Sequence, residues 1–115
     1  MATYELERVE PGETGLAFVA LSGELDFTNA DDLAQRLGDL ANANTPVVLD
    51  LSRVVFIDSA AIRRLFLIAR ERGPHALAFV VEPAAPVATT LEIAELRRAA
   101  IVACTFAEAK AALTR

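Results

Sequence analysis

The sequence predicts an α/β fold: a small mixed β-sheet that opens with an N-terminal hairpin, continues in β-α repeats and carries helices packed on it. Three observations point there. Two strand-like runs, 3–9 and 16–21, flank the turn signal Pro11-Gly12-Glu13-Thr14-Gly15. Val47 to Leu51 is almost wholly apolar and β-branched, the pattern of a strand buried on both faces of a parallel sheet. Further along the chain, apolar residues at helical spacing alternate with short apolar runs, as in strands joined by covering helices.

Taken in order, residues 3–9 alternate, with Tyr4, Leu6 and Arg8 on one side and Glu5, Glu7 and Val9 on the other. That is an edge or half-buried strand. Leu16 to Leu21 is its hairpin partner, and Ser22-Gly23-Glu24-Leu25-Asp26 leads out into a loop. A helix is predicted from about Thr28-Asn29, with Leu33, Leu37 and Leu40 as its inward stripe. Asp31 and Asp32 fall in its first turn, where carboxylates favour the helix dipole. Residues 42–46 form the exit loop. Pro46 then introduces the central strand, Ser52-Arg53 reads as a turn, and a second apolar patch ends in Asp58-Ser59.

From there Ile62, Leu65, Phe66 and Ala69 mark one face of a helix that Gly73-Pro74 stops. Leu77 to Val81 is a buried strand. Pro83 and Pro86 bracket a connector to a helix over 87–96, with Val87, Leu91 and Ala94 inward. Ala100 to Phe106 reads as the last strand and Ala107 to Leu113 as the closing helix. The 115 residues are read as a single domain, large enough for a core without staples.

Composition excludes several functions. A net charge of −5 argues against a nucleic-acid surface, and the pairs Arg63-Arg64 and Arg97-Arg98 read as solvated helix faces. No apolar run nears the length of a membrane span and no leader pattern opens the chain, so a cytoplasmic protein is expected. Part of the 54% hydrophobic content is left for a partner surface, a homodimer among the options. With one histidine and one cysteine, little is available for catalysis or metal binding. His75 reads as a surface residue in a turn, and Cys104 as a buried structural thiol in an apolar strand. Asp50 and Asp58 are the conceivable acid/base pair, but Asp50 is better read as capping a strand end. No phosphate-cradling glycine motif is present. A non-enzyme without cofactor or metal is expected.

The junction Asp58-Ser59 is where buried backbone emerges and a helix begins. Ser59 is placed as the N-cap, its hydroxyl facing free backbone N–H groups. A cap stabilises a helix by about 1 kcal/mol and needs no further role. The other reading takes Ser59, with Asp58 beside it and Asp26 at the same sheet edge if the second and third strands are neighbours, as a phosphoacceptor. A phosphate there would add about −1.5 to −2 charge at a helix N-terminus and act as a charge switch.

Leu49-Asp50-Leu51-Ser52-Arg53-Val54-Val55-Phe56-Ile57-Asp58-Ser59-Ala60-Ala61-Ile62 resembles the signature of STAS domains, the anti-sigma factor antagonist family. Leu21-Ser22-Gly23-Glu24-Leu25-Asp26 resembles that family's upstream motif, and Phe106 to Leu113 its typical ending. The resemblance runs over nearly the whole chain. It implies the STAS fold and a protein that, unphosphorylated, sequesters an anti-sigma factor serine kinase and so frees a sigma factor for transcription. It further implies that the kinase phosphorylates Ser59 and that a PP2C-type phosphatase resets it. Asp26, Thr28, Asp58, Ala60, Ala61, Ile62 and Arg63 are implied as phosphosite neighbours and partner-binding residues.

This chain departs from the family pattern at Ala60-Ala61, where Ser/Thr-Gly is usual, and continues with Arg63-Arg64. Losing the glycine adds a Cβ at a place of close approach, and the arginines could pair with a phosphate or an acidic partner. Two further readings stand beside the switch. One is a non-switching scaffold, in a stress-signalling assembly or as an accessory subunit of a lipid-transport complex. The other is a small-molecule or nucleotide-binding domain resting on the helix N-terminus.

Overall fold

The computed structural model describes residues 2–9, 15–41, 45–73, 75–85, 87–93, 98 and 100–114. Strands β1 (Tyr4–Val9) and β2 (Ala17–Leu25) are followed by α1 (Ala30–Leu40), β3 (Val47–Ile57) and α2 (Ser59–Arg72). Then come β4 (Leu77–Val80), α3 (Ala88–Ile93), β5 (Ile101–Ala103) and α4 (Phe106–Leu113). Spatial order in the sheet is chain order, β1-β2-β3-β4-β5. β1 pairs antiparallel with β2, and every later pairing is parallel. This is the expected hairpin followed by β-α steps. The readings for 11–14, 42–44, Pro74, Pro86 and the end of the third helix, with Leu91 and Ala94 inward, fall outside the described residues or side chains.

One face of the sheet buries the inward stripes of α1 and α2. Leu33 and Leu37 of α1 and Ile62, Leu65 and Ala69 of α2 share a core with Val19, Leu21, Leu49 and Phe79. Leu40 and Phe66, also expected inward, are half-buried. The opposite face is covered by α4, whose Ala109 and Leu113 pack on Val48, Ala78 and Val80. Phe18 meets Phe106 there edge to face, with ring centroids 4.7 Å apart. β3 is thus buried from both sides along Val47-Val48-Leu49, as its composition demanded.

Beyond Leu51 the expected turn at Ser52-Arg53 does not occur: β3 continues to Ile57 as one strand of eleven residues. Its register against β2 slips twice, between Ala20 and Ser22 and between Gly23 and Glu24. Each slip is a bulge that adds a residue on β3. The buried positions become Leu51, Val54 and Ile57, every third residue, and the alternation that would identify a strand is lost. Asp50 is correspondingly not at a strand end. Its carboxylate accepts the Ser52 N–H at 2.9 Å, a local bond beside the first slip.

β2 also carries a backbone requirement. Gly23 has φ +95°, and a Cβ there would meet the Thr3 carbonyl oxygen at 2.5 Å. That same oxygen accepts the Glu24 N–H at 2.8 Å, so the close approach is part of the hairpin.

The last strand is shorter than expected, because Thr105 already caps α4. Its hydroxyl accepts the Glu108 N–H at 3.2 Å, and the Glu108 carboxylate accepts the Cys104 N–H at 2.9 Å. This reciprocal pair pulls 104–105 out of the sheet, and Cys104 is exposed rather than buried. His75 is exposed, as expected.

Candidate functional site

β2 and β3 run parallel and side by side, so their C-terminal ends deliver Asp26 and Asp58 to the same sheet edge. The last rung of the ladder is the Asp58 N–H donated to the Leu25 carbonyl at 3.1 Å. Beyond it the two strands part, one into a tight turn and α1, the other directly into α2.

The sequence placed Ser59 as the cap of α2, and the structure corrects this. Asp58 is the N-cap, with extended backbone and a carboxylate oxygen that accepts the Ala61 N–H at 2.8 Å. Its second oxygen accepts the Phe27 N–H across the strand gap at 3.2 Å. A carboxylate supplies two acceptors where a hydroxyl would have to satisfy both donors with one oxygen, which is why the aspartate takes the position. Ser59 becomes the first residue of the helix. It is exposed, and among the described residues nothing hydrogen-bonds its hydroxyl.

The turn carrying Asp26 is tied down from several directions. The Asp26 carboxylate accepts from both the N–H and the hydroxyl of Thr28. The Thr28 hydroxyl bond, followed by backbone N–H donors, holds the Asp26 carboxyl below the usual carboxylate range. Buried Asn29 uses its side-chain oxygen for the Asp26 N–H at 3.0 Å and its amide for the Glu24 carbonyl at 2.9 Å. α1 therefore begins at Ala30, slightly later than expected, after residues 27–29 complete the turn. Asp31, in its first turn, pairs with Arg64 of α2 at 3.2 Å, with Asp31 almost fully solvated. Such a pair adds little stability but aligns the two helix starts.

Of the implied site residues, Ser59, Ala60, Thr28 and Arg63 are exposed around this junction, with Asp26 and Asp58 half-buried among them. Ala61 and Ile62 are different: both side chains are buried in the core beneath α2. Ala61 takes part through its backbone N–H alone among the described interactions. The outer face of α2 runs from Ser59 through Arg63 to Leu67, which is itself exposed.

Sequence reasoning overlooked Phe27. It stands 73% exposed in the turn between Asp26 and Thr28. The available signal was an aromatic set inside an otherwise polar turn, where no core stripe asks for one. Phe56 and Val55, in the apolar patch that precedes Asp58, are exposed, because both residues at the second bulge turn outward.

Among the described residues no group of three or more His, Cys, Asp or Glu side chains is placed to hold a metal ion, and no helix is long and apolar enough to cross a membrane.

A family model described as STAS domain matches residues 7–109. No curated protein matches the chain. Among solved structures, an anti-sigma factor antagonist from Mycobacterium paratuberculosis superposes with a TM-score of 0.78 at 24% identity over 96% of both chains. A Thermotoga maritima protein provisionally described as an anti-sigma factor antagonist gives 0.72 at 24% identity, covering 96% of this chain and 95% of that one. The murine Solute Carrier 26 family member A9 anion transporter gives 0.67 at 19% identity, over 88% of this chain but 18% of the transporter. At these identities the structural likeness is one of fold.

Proposed function

The chain belongs to the STAS domain family, and from that premise we propose that it is a cytoplasmic anti-sigma factor antagonist, a binding protein rather than an enzyme. In its unphosphorylated form it binds a serine-kinase anti-sigma factor and frees the sigma factor that the kinase restrains. Phosphorylation of Ser59 by the kinase ends the complex, and a PP2C-type phosphatase restores it.

One observation carries the reading: the Ser59 hydroxyl is solvent-exposed and unengaged at the first position of α2, because Asp58 has taken over the capping. A modifying enzyme can reach it without unfolding the helix. The charge arithmetic supports a switch. A helix N-terminus favours an anion by about 0.3–1 kcal/mol. A dianion about 4 Å from a carboxylate is opposed by about 2 kcal/mol even at the dielectric constant of water. For a dianion the dipole gain and a single carboxylate repulsion are of similar size. With Asp58 adjacent and Asp26 at the same sheet edge, the added charge therefore stays uncompensated by the helix, and any partner surface closed over the site feels it too. Arg63, exposed one turn further along α2, is positioned to moderate that charge or to meet an acidic group on the partner.

Phosphopeptide mass spectrometry of the native protein, with and without a cognate serine kinase and ATP, tests the reading. Phosphate on Ser59, and its removal by a PP2C-type phosphatase, is expected. A kinase that forms a stable complex with the chain yet leaves Ser59 unmodified would instead identify a permanent scaffold.

A further inference from the structure

α1 and α2 lie side by side on one face of the sheet and enclose a groove of about 310 Å³, at the lower end of the range for small-ligand sites. Leu37, Ala41 and Ile68 make its lining apolar, and the charges stand toward its ends. Arg64 is in the second turn of α2 and Arg72 is its last residue, about 12 Å further along the helix.

The two arginines differ in what holds them. Arg72 is committed to backbone, donating to the Ala41 carbonyl at 2.8 Å and the Thr45 carbonyl at 3.2 Å. Glu71 adds a negative charge at that end, which leaves no place there for an anion. The Arg64 side chain is 31% exposed, and its buried Nε lies 3.2 Å from an Asp31 oxygen without forming a hydrogen bond. The Asp31 side chain is 92% exposed, so water competes for it and another carboxylate can take its place.

Gly38 supplies the room. It sits inside α1, where only proline is less favourable than glycine. Yet a Cβ on it would meet nothing within 4 Å, so the chain's own packing does not call for a glycine. What a side chain would occupy is space in the groove.

We propose that this groove binds a small amphipathic carboxylate, an unbranched acid of about eight carbons, with its head on Arg64 and its tail running toward Arg72. The head takes the place of Asp31, where Nε and a terminal nitrogen of the guanidinium donate side by side to two oxygens. The unbonded Nε–H is thereby satisfied. The tail exchanges water for contact with Leu37 and Ile68. The site begins more than one helical turn beyond Ser59 and involves no kinase, so it stands or falls apart from the antagonist reading.

The full chain, labelled with ¹⁵N, is titrated with octanoate, butyrate and octan-1-ol while its amide and arginine Nε resonances are followed. Octanoate is expected to shift Leu37, Gly38, Ile68 and the Arg64 Nε saturably, with a dissociation constant of about 1 mM or below. Butyrate is expected to bind about tenfold or more weakly, having lost four methylenes, and octan-1-ol about tenfold or more weakly, having no charge for Arg64. No saturable shift at Leu37, Gly38 and Ile68 below about 5 mM octanoate overturns the site. Octan-1-ol binding as tightly as octanoate overturns the role given to Arg64.

Three variants complete the test. Arg64→Met keeps an apolar stem and is expected to weaken octanoate by about tenfold or more while leaving octan-1-ol unchanged. Gly38→Leu is expected to abolish binding of both, and unchanged binding overturns the groove. Gly38→Ala adds a single methyl and keeps the test open should the leucine variant not fold. It is expected to weaken octanoate by about two- to fivefold and to raise Tm by about 3 °C or more. A lowered Tm would show that packing requires the glycine, and the space would then not be a ligand's.

Discussion

Asp58 accepts the Ala61 N–H at 2.8 Å, so a carboxylate closes the first turn of α2 and the adjacent Ser59 hydroxyl is released to solvent. Capping falls to Asp58 and leaves the hydroxyl of its neighbour unengaged. The division matters because a hydroxyl engaged with backbone N–H groups would have to leave them before it could be phosphorylated.

Stability measurements separate the two residues. Asp58→Ala removes the cap and the link to Phe27, and is expected to cost about 1–2 kcal/mol in urea denaturation. Ser59→Ala is expected to fall within about 0.5 kcal/mol of the parent chain, as an exposed substitution without partners does. A larger loss for Ser59→Ala would return the cap to the serine.

Binding measurements separate them in another way. Ser59→Ala should hold the serine-kinase anti-sigma factor constitutively and resist release by ATP. Ser59→Glu should weaken the complex by about tenfold or more, its single charge being a partial stand-in for phosphate. Equal affinities across this pair would count against a charge switch.

Gly23 is predicted to be intolerant. Alanine there combines a positive φ with a Cβ 2.5 Å from the Thr3 carbonyl, and the backbone cannot yield without breaking the hairpin. A loss of about 3 kcal/mol in thermal or urea unfolding is expected. Gly73, at φ +102° with open space around its Cβ position, should cost less on the same substitution.

Tyr4 provides a pH test, being the single tyrosine in the chain. Its hydroxyl donates to Asp32 at 2.7 Å. Burial, then the bond to Asp32, raises its pKa above the ordinary 10.0. A raised folded-state pKa means the stabilisation is complete below pH about 10 and is lost as pH rises through the folded value. Tyrosinate absorbance should therefore appear at higher pH in the folded than in the urea-unfolded protein. A midpoint at or below the unfolded one would show that the bond is absent in solution.

Cys104 is expected to react with a thiol reagent in the native protein at a rate close to that of the unfolded chain, since it lies outside the sheet and is exposed. Strong protection would place it back in β5.

Much of the architecture was legible because local patterns carried it. Val47-Val48-Leu49 announced a doubly covered strand, Leu33 and Leu37 a helix stripe, and Gly73 a helix end whose φ of +102° few other residues adopt. The motif around Asp58-Ser59 located the junction as well. The readings that failed have different causes. Ser52-Arg53 resembled a turn because two bulges in β3 exist only in its pairing with β2. Cys104 resembled a core residue because its apolar neighbours outweighed a local signal that was present, the capping pattern Thr105-Phe106-Ala107-Glu108 that ends the strand before it.

Residue order by itself determined the succession of elements, the faces that α1 and α2 bury, the family and the position of the exposed serine. Tertiary structure decided which side chain caps α2, that Ala61 joins Ile62 in the core, and that Phe27 is held outward next to Ser59. The physical reason is distance along the chain. The bond from the Phe27 N–H to the Asp58 carboxylate joins residues 31 apart, and its existence depends on how two parallel strands align, which no local period encodes.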